Sequence, residues 1–290
     1  MSRDHPIIAV TGSSGAGTTH AKSAFERIFH QEGIAAALVE GDSFHRFDRQ
    51  EMDRLREAAA KTGAKVTHFG PEGNLFEDLE ALFEEYGARG TGKRRRYVHT
   101  EEEARETGAS VGTFTPWEPL AAGTDLLFYE GLHGGLVTER INVPRHVDLL
   151  IGVVPIINLE WMQKIHRDQA VRGYSTETAT QMILRRMDDY VHYITPQFSR
   201  THVNFQRIPL VDTSNPFAAR ELPSDGETAV VIHVQDRRKL QADFRTLLDL
   251  LDGSFMARPD TLVVPGAKYV FAMELIVLPV IQRLMAARAA

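Results

Sequence analysis

The 290-residue chain contains no cysteine. Disulfide bonds, zinc–thiolate sites and thiol redox switches are therefore excluded. The chain also lacks an excess of positive charge, since its net charge is −6, whereas a general nucleic-acid-binding protein is usually basic. Its apolar runs are far shorter than the roughly 20 residues of a membrane helix. We therefore expect no nucleic-acid partner, no membrane, no signal peptide and a cytoplasmic location.

Short apolar runs alternate with helical patterns along most of the chain. The predicted strands are residues 6–11, 35–40, 126–129, 147–154, 208–211, 229–234 and 261–264. The predicted helices are residues 18–31, 48–61, 72–86, 158–172, 176–194 and 267–288, the last of them amphipathic. Apolar runs of this length suit strands that are buried on both faces. Their alternation with helices predicts an α/β fold with a doubly wound, largely parallel mixed sheet flanked by helices.

The segment 44–117 differs from the rest of the chain because it is charged, rich in glycine and helical only in pieces. A long excursion between two sheet strands is often the place where a substrate site is built. We therefore predict one domain, residues 1–290, with an insertion at about 44–117 that lies over the active-site end of the sheet.

A glycine-rich loop follows the first predicted strand and opens a helix. It comprises Gly12, Ser13, Ser14, Gly15, Ala16, Gly17, Thr18 and Thr19. This context matches the motif G-x-x-x-x-G-K-[ST], in which backbone N–H groups and the helix N-terminus cradle phosphates. We therefore predict a P-loop NTPase-like fold, ATP binding by these eight residues, and Mg²⁺ ligation by the Thr19 hydroxyl. Thr18 stands where the motif has lysine, so a plain Gly/Ser turn remains an alternative for the loop alone.

Two acidic residues follow predicted strands, at the edge where a doubly wound sheet carries its site. Asp42 is placed to orient a substrate hydroxyl near the γ-phosphate and to accept its proton. Glu130 ends an apolar strand and is placed to hold Mg²⁺ directly or through water. The alternative for each is an acid that only caps a turn or loop.

A predicted helix carries Lys164, Arg167, Asp168 and Arg172 on roughly one stripe. The simpler interpretation is a solvated face with salt bridges. Because the loop lacks its lysine, however, a source of positive charge is needed nearby. Lys164 and Arg167 are the candidates to neutralise the transferring phosphoryl group, and Arg186 on the next helix is expected to add to the same field.

The insertion contains a run of cations and aromatic residues that could contact a sugar phosphate. For Lys93–Arg95 we expect an exposed loop, whereas Tyr97 and His99 are assigned to the site.

Several motifs together resemble the phosphoribulokinase family in its bacterial form. They are Lys164-x-x-Arg167-Asp168-x-x-x-Arg172-Gly173-Tyr174-Ser175-x-Glu177 and the segments 12–19, 40–46, 128–133 and 211–217, in order over nearly the whole chain. The resemblance implies transfer of the ATP γ-phosphate to the C1 hydroxyl of D-ribulose 5-phosphate. The product would be ribulose 1,5-bisphosphate, the carbon dioxide acceptor of the Calvin cycle. The family also tolerates a P-loop without lysine.

The resemblance further implies roles for individual residues. Asp42 would be the catalytic base, and Asp168 a second essential carboxylate in the ATP and Mg²⁺ region. The residues that would hold the sugar phosphate are His45 and Arg49, with Tyr97, His99, Arg172 and Arg186 as additions. Bacterial relatives are typically homo-oligomers, octamers in the usual case, activated by NADH and inhibited by AMP.

The chain departs from the family pattern at a few positions. Asp53 stands where bacterial relatives tend to have a lysine, and its carboxylate would repel the substrate phosphate at close range. Gln31 and His233 replace arginines of the family's effector site, whereas Arg258 is retained, so the match to the site through which NADH would regulate is incomplete. Two alternatives remain at this point: a kinase of the uridine or pantothenate type, and a non-catalytic nucleotide sensor.

Overall fold

A mixed eight-stranded sheet forms the centre of the protein. The structure is a computed structural model that describes residues 4–13, 16–62, 66–217 and 221–288. Within these ranges it does not describe the side chains of residues 19, 60–62, 171 and 172. The strands are β1 (Ile7–Gly12), β2 (Ala36–Glu40), β3 (Lys93–Arg94), β4 (Glu118–Pro119), β5 (Leu126–Gly131), β6 (Leu149–Val154), β7 (Val203–Pro209), β8 (Thr228–Val234), β9 (Phe255–Arg258) and β10 (Thr261–Pro265). The order in the sheet is β2-β5-β1-β6-β7-β8-β10-β9, while β3 and β4 form a separate two-stranded ribbon.

The sheet is parallel from β2 to β7 and antiparallel from β7 to β9. The central strands are the continuous apolar runs, and every residue of β1 is buried. This confirms the predicted fold class, a largely parallel mixed sheet flanked by helices.

Helices cover both faces of the sheet. They are α1 (Thr18–Glu32), α2 (Arg49–Thr62), α3 (Phe76–Arg89), α4 (Glu101–Thr107), α5 (Ile157–Arg172), α6 (Thr176–Arg185), α7 (Met187–Asp189), α8 (Arg237–Leu240), α9 (Phe244–Leu250) and α10 (Tyr269–Arg288). One core lies between the sheet, α1 and α10, and a second lies between the other face and α3. Local signals set the ends: α1 stops at Gly33, which has φ of +65°, and α4 begins with a capping box of Thr100 and Glu103.

Helix α10 is the most apolar long element, and Gly266–Arg288 has the length and composition of a membrane-spanning helix. In this protein the helix is part of the core, because Met273, Val277 and Ile281 are fully buried among residues of α1 and the sheet. The core helix of a folded domain passes the same test of composition.

Two predicted elements were wrong in their bounds. The strand expected at 208–211 is β7, Val203–Pro209, because Val203 and Phe205 enter the core whereas Leu210 is 64% exposed. The single helix expected at 176–194 ends as α6 at Arg185 and continues through α7 into a π-helical turn, Tyr190–Ile194.

The segment between β2 and β5 contains α2, α3, α4 and the β3–β4 ribbon. Predicted helices 48–61 and 72–86 correspond to α2 and α3, although α3 begins only at Phe76, after a 3₁₀ turn at Pro71–Gly73.

Candidate active site

The predicted site residues meet at the carboxyl edge of the parallel strands. The P-loop follows β1, Asp42 follows β2, and Glu130 lies near the end of β5. Glu130 is in register with Val10 on one side and with Glu40 on the other, so the ends of these three strands are adjacent.

The glycine-rich loop adopts the tight turn that its composition predicts. Gly17 has φ of +99°, a left-handed conformation that side chains rarely adopt, and Ala16 N–H donates to the Ser13 carbonyl at 2.9 Å. A Cβ on Gly12 would lie 2.7 Å from the Val153 carbonyl oxygen. The Ser13 hydroxyl is buried with no hydrogen-bond partner among the described residues. This is expected of a group whose partner is a bound phosphate. Ser14, Gly15 and the Thr19 side chain lie outside the described part of the chain.

Thr18, which replaces the lysine of the motif, hydrogen-bonds through its side chain to Glu130. Burial, together with the nearby charge of Asp42, raises the pKa of Glu130 to about 7 despite this bond. Magnesium in phosphate sites is held by one or two carboxylates while the nucleotide and water supply the other ligands. The half-buried Glu130 carboxylate beside the P-loop fits that pattern.

A lysine that the sequence reasoning missed lies beside this acid. Lys22, one helical turn after Thr18, pairs its ammonium with Glu40 at 3.1 Å and interacts with Glu130 at longer range. Its spacing of four from Thr18 on α1 was the signal that could have identified it.

Asp42 occupies a 3₁₀ turn, Gly41–Phe44, that presses against the end of β5. The turn requires a glycine, because a Cβ on Gly41 would lie 2.6 Å from the Tyr129 hydroxyl and 2.8 Å from Gly131 Cα. Solvent reaches 40% of the Asp42 side chain. It is therefore accessible to a substrate.

Two histidines flank the Asp42 carboxylate. His45 Nε2 lies 3.2 Å from one oxygen and His99 Nε2 lies 3.5 Å from the other. Burial works to raise the pKa of Asp42, but the neighbouring His45, with smaller contributions from His99 and His68, holds it well below its usual range. Asp42 is therefore an anion at neutral pH.

Tyr97 lies against His99, with their ring centroids 4.9 Å apart. The Tyr97 ring also packs edge-on against Phe114. Arg49, at the start of α2, packs its side chain against Gly112 in the same insertion. The structure thus brings Asp42, His45 and His99 into contact, with Tyr97 next to them, while the described contacts of Arg49 are with the neighbouring loop.

The sequence reasoning also missed Arg95 as a residue of the site. The expectation that Arg95 is exposed in a loop is wrong. Its guanidinium donates to the backbone carbonyls of Ser43 and His45 and stacks 3.6 Å above the Phe114 ring centroid. Trp117 lies on the same cation at 4.9 Å. The aromatic residues at 114 and 117 were the sequence signal, since arginine stacks on such rings.

The cations of α5, together with Arg186 just after α6, form a second cluster. The Lys164 ammonium hydrogen-bonds to Asp168, whose side chain is fully buried, and Arg167 lies 3.9 Å from the same carboxylate. Burial lowers the pKa of Lys164 to about 8, aided by Arg186, although Asp168 opposes this shift. Burial also lowers the pKa of Arg186 to about 10. The buried Lys164–Asp168 pair is unlike a solvated helix face, whereas 45% of the Arg167 side chain is exposed. The Arg172 side chain lies outside the described residues.

Phe69 connects the two clusters. The Arg186 guanidinium lies 4.9 Å from its ring centroid, and its carbonyl oxygen lies 3.0 Å from His133 Nε2. Burial lowers the pKa of His133 to about 3, so this ring is neutral and donates to Phe69.

The Asp53 carboxylate, which departs from the family pattern, pairs with Arg56 at 3.2 Å on the same helix. Arg56 also acts electrostatically on His45 and His68, so a cation accompanies the unexpected acid.

Comparison with known proteins agrees with this geometry. The sequence model described as the phosphoribulokinase / uridine kinase family matches residues 7–214. The chain is 58% identical over 289 residues to a plasmid-encoded phosphoribulokinase of Cupriavidus necator, covering 99% of this chain and 98% of the relative. It is also 58% identical over 285 residues to a probable phosphoribulokinase of Escherichia coli, covering 98% of each.

The fold comparison leads to the same family. A solved structure described as phosphoribulokinase from Rhodobacter spheroides superimposes with a TM-score of 0.92 at 48% identity and covers 100% of both chains. The chain therefore belongs to the phosphoribulokinase / uridine kinase family, and within it to the phosphoribulokinases.

Proposed function

We propose that this protein transfers the γ-phosphate of ATP to the C1 hydroxyl of D-ribulose 5-phosphate, forming ribulose 1,5-bisphosphate for carbon dioxide fixation in the Calvin cycle. The main support is its 58% identity, over almost the full length of both chains, to a protein named phosphoribulokinase. The ionised Asp42 beside the P-loop and Glu130 supplies the chemistry that such a transfer needs.

In the proposed mechanism, Asp42 orients the C1 hydroxyl and accepts its proton. A carboxylate whose pKa lies below its usual range is a weak base, but it is always in the form that accepts a hydrogen bond. Phosphoryl transfer passes through a loose transition state in which little proton transfer is needed early, so orientation is the larger contribution.

The P-loop residues 12–19 bind the ATP phosphates through backbone N–H groups. The Thr19 hydroxyl and Glu130 are the proposed protein ligands of Mg²⁺, which would neutralise phosphate charge when bound. The Lys164–Asp168 pair, with Arg167, supplies the positive field that Thr18 cannot provide, and Asp168 holds Lys164 in place.

The sugar phosphate is assigned to the cations and rings around Asp42. His45, His99 and Tyr97 would contact the substrate, and Arg49, Arg172 and Arg186 would pair with its 5-phosphate. The single-domain organisation with the insertion at 44–117, the homo-oligomer of up to eight subunits, the NADH and AMP effectors and the cytoplasmic location remain predictions.

One coupled assay of ADP formation tests the proposal. Ribulose 5-phosphate, uridine and pantothenate are offered in parallel with MgATP, and the product is identified by the position of its new phosphate. We expect turnover with ribulose 5-phosphate alone and a phosphate at C1. Turnover with uridine or pantothenate instead would favour the other kinases. ATP binding without ADP formation from any of the three would indicate a nucleotide sensor.

A further inference from the structure

The site contains a buried amide, Asn74, that has no part in the mechanism so far. Asn74 is 1% exposed and contacts His45, which in turn contacts Asp42. We propose that Asn74 is a positioning residue that holds His45 as an imidazolium against Asp42. The catalytic consequence rests on the proposed function, whereas the charge state of His45 does not.

Backbone pairing fixes Asn74 opposite His45. The two residues form an antiparallel bridge, flanked by hydrogen bonds from Arg46 N–H to the Gly73 carbonyl and from Leu75 N–H to the Phe44 carbonyl, both 2.8 Å long. The Arg46 guanidinium also donates to the Asn74 carbonyl. The Asn74 side chain therefore has a set position relative to the His45 ring.

The orientation of the Asn74 amide follows from its other contacts. Its Nδ2 lies 3.0 Å from the carbonyl oxygen of His68 and 2.7 Å from that of Gly70. Carbonyl oxygens only accept hydrogen bonds, so the NH₂ group must face them and Oδ1 must face His45 Nδ1, 2.8 Å away. An amide oxygen also only accepts, so His45 Nδ1 carries a proton.

The second ring nitrogen then decides the charge. A neutral imidazole protonated at Nδ1 has a lone pair at Nε2, and here Nε2 lies 3.2 Å from the Asp42 carboxylate. A lone pair facing an anion is repulsive, whereas a second proton at Nε2 makes a charge-assisted hydrogen bond. Asn74 thus excludes the neutral tautomer that could still donate to Asp42, and the imidazolium is the form that satisfies both neighbours.

Of the other groups around His45, some favour the neutral imidazole and others favour the imidazolium. Burial works to lower the pKa of His45, and Arg56 does so too, but Asp42 and the bond to Asn74 raise it overall. The His68 ring lies tilted against the His45 ring, with 4.2 Å between ring centroids. Burial, together with His45 and Arg56, keeps the pKa of His68 well below the usual range, so this ring is neutral. His99 faces the second oxygen of Asp42.

The consequence for the reaction concerns the ionisation of Asp42. A cation fixed at 3.2 Å keeps the carboxylate deprotonated at pH values where an isolated aspartate would begin to take up a proton. Asn74, which touches neither the proposed substrate nor Asp42 in this arrangement, would set the pH at which Asp42 loses its charge, through His45.

The wild-type protein allows a direct test by NMR of ¹⁵N-labelled histidine. The His45 signals are assigned from their loss in His45→Gln. We expect both His45 ring nitrogens to be protonated at pH 7.5, about one unit above the ordinary histidine pKa of about 6.5. A neutral His45 at that pH would overturn the proposal, whatever the enzyme phosphorylates.

Substitutions then distinguish the positioning of His45 by Asn74 from an effect on the stability of the loop that contains Asn74. Asn74→Leu removes the acceptor and permits a neutral ring protonated at Nε2, whereas Asn74→Asp keeps an acceptor for Nδ1. Thr67→Val is the matched control, because Thr67 accepts from Phe69 and Gly70 N–H and anchors the same loop without contacting His45.

We expect Asn74→Leu to move the acidic limb of kcat/KM for ribulose 5-phosphate, measured with saturating MgATP at every pH, upward by about 1–3 pH units and to remove the imidazolium signal. Asn74→Asp should keep the imidazolium and a low acidic limb, and Thr67→Val should lower stability without moving the limb. An unmoved limb in a folded Asn74→Leu, or an equal shift in Thr67→Val, would contradict the proposal. If Asn74→Leu does not fold, the proposal is tested by the imidazolium signal of the wild type and by the imidazolium signal and acidic limb of Asn74→Asp.

Discussion

At the scale of single residues, the exchange of lysine for Thr18 changes the acid next to it. A lysine in the P-loop would place an ammonium near Glu130 and stabilise its anion. The Thr18 hydroxyl makes only a neutral hydrogen bond, and Lys22 acts from further away, so burial prevails and the pKa of Glu130 rises to about 7. The missing lysine therefore leaves Glu130 half protonated near neutral pH until a cation arrives.

This shift predicts that MgATP affinity depends on pH. The pKa of Glu130 lies above the ordinary glutamate value of 4.5, so at pH 6 most of the protein carries a proton that Mg²⁺ must displace, and at pH 8 little does. We expect the affinity for MgATP, measured by calorimetry, to rise by roughly tenfold from pH 6 to pH 8, because about one proton is displaced on binding.

Glu130→Gln provides the control, since it keeps the hydrogen bond to Thr18 but cannot titrate. It should bind MgATP weakly at every pH and leave the affinity for metal-free ATP nearly unchanged. A wild-type affinity that stays constant from pH 6 to pH 8 would show that Glu130 does not titrate in this range.

At the scale of elements, the turn that carries Asp42 is held from outside the sheet. Arg95 at the end of the β3–β4 ribbon donates to two carbonyls of the turn, and the Ser43 hydroxyl donates back to the Arg95 carbonyl. Phe114 and Trp117 shield this cation from water. The segment between β2 and β5 thus holds the turn that carries Asp42 in place.

Replacing Arg95 by methionine should therefore damage catalysis and stability together. Hydrogen bonds from a charged donor are worth about 1.5–3 kcal/mol, so we expect a loss of that order in the free energy of unfolding by denaturant. Turnover should fall by roughly 10–100-fold, because a small displacement of Asp42 misplaces the hydroxyl that it orients.

The matched control is Arg94→Met in the same ribbon. Arg94 pairs with Glu118 and donates to the Leu38 carbonyl on the outer edge of the sheet, away from the turn. It should lose some stability and keep most of its turnover. Equal turnover in the two variants would mean that Arg95 does not position Asp42.

The sequence predicted elements that are defined by local pattern. The apolar runs located the parallel strands, and the loop from Gly12 to Thr19 located the phosphate end of the sheet. The strand at Val203–Pro209 was misplaced because polar residues alternate with its buried ones, while Leu210 and Val211 are apolar but exposed.

Contacts between distant segments could not be predicted in the same way. Arg95 lies 52 residues from Ser43, and Asn74 lies 29 residues from His45. Neither residue belongs to a motif, and an arginine in a basic run or an asparagine after a glycine is ordinary in a loop. Their roles follow only from the way the insertion folds back onto the strand ends.

At the scale of the whole molecule, the sheet assembles a site from segments that are far apart in the chain. The P-loop, Asp42 and Glu130 come from adjacent strands, while Lys164 and Arg167 come from α5 and Arg186 follows α6. Phe69 links the two groups through Arg186 and His133. The central claim is that this assembly acts on a hydroxyl that Asp42 orients.

The most direct measurement of that claim is the turnover of Asp42→Asn with saturating MgATP and ribulose 5-phosphate. Asp243→Asn is the control, because Asp243 caps α9 and asparagine is an equally good cap. We predict that Asp42→Asn folds, binds ATP as the wild type does, and loses about 10²–10⁴ in turnover, while Asp243→Asn remains active. Turnover of Asp42→Asn within a few-fold of wild type would contradict the account.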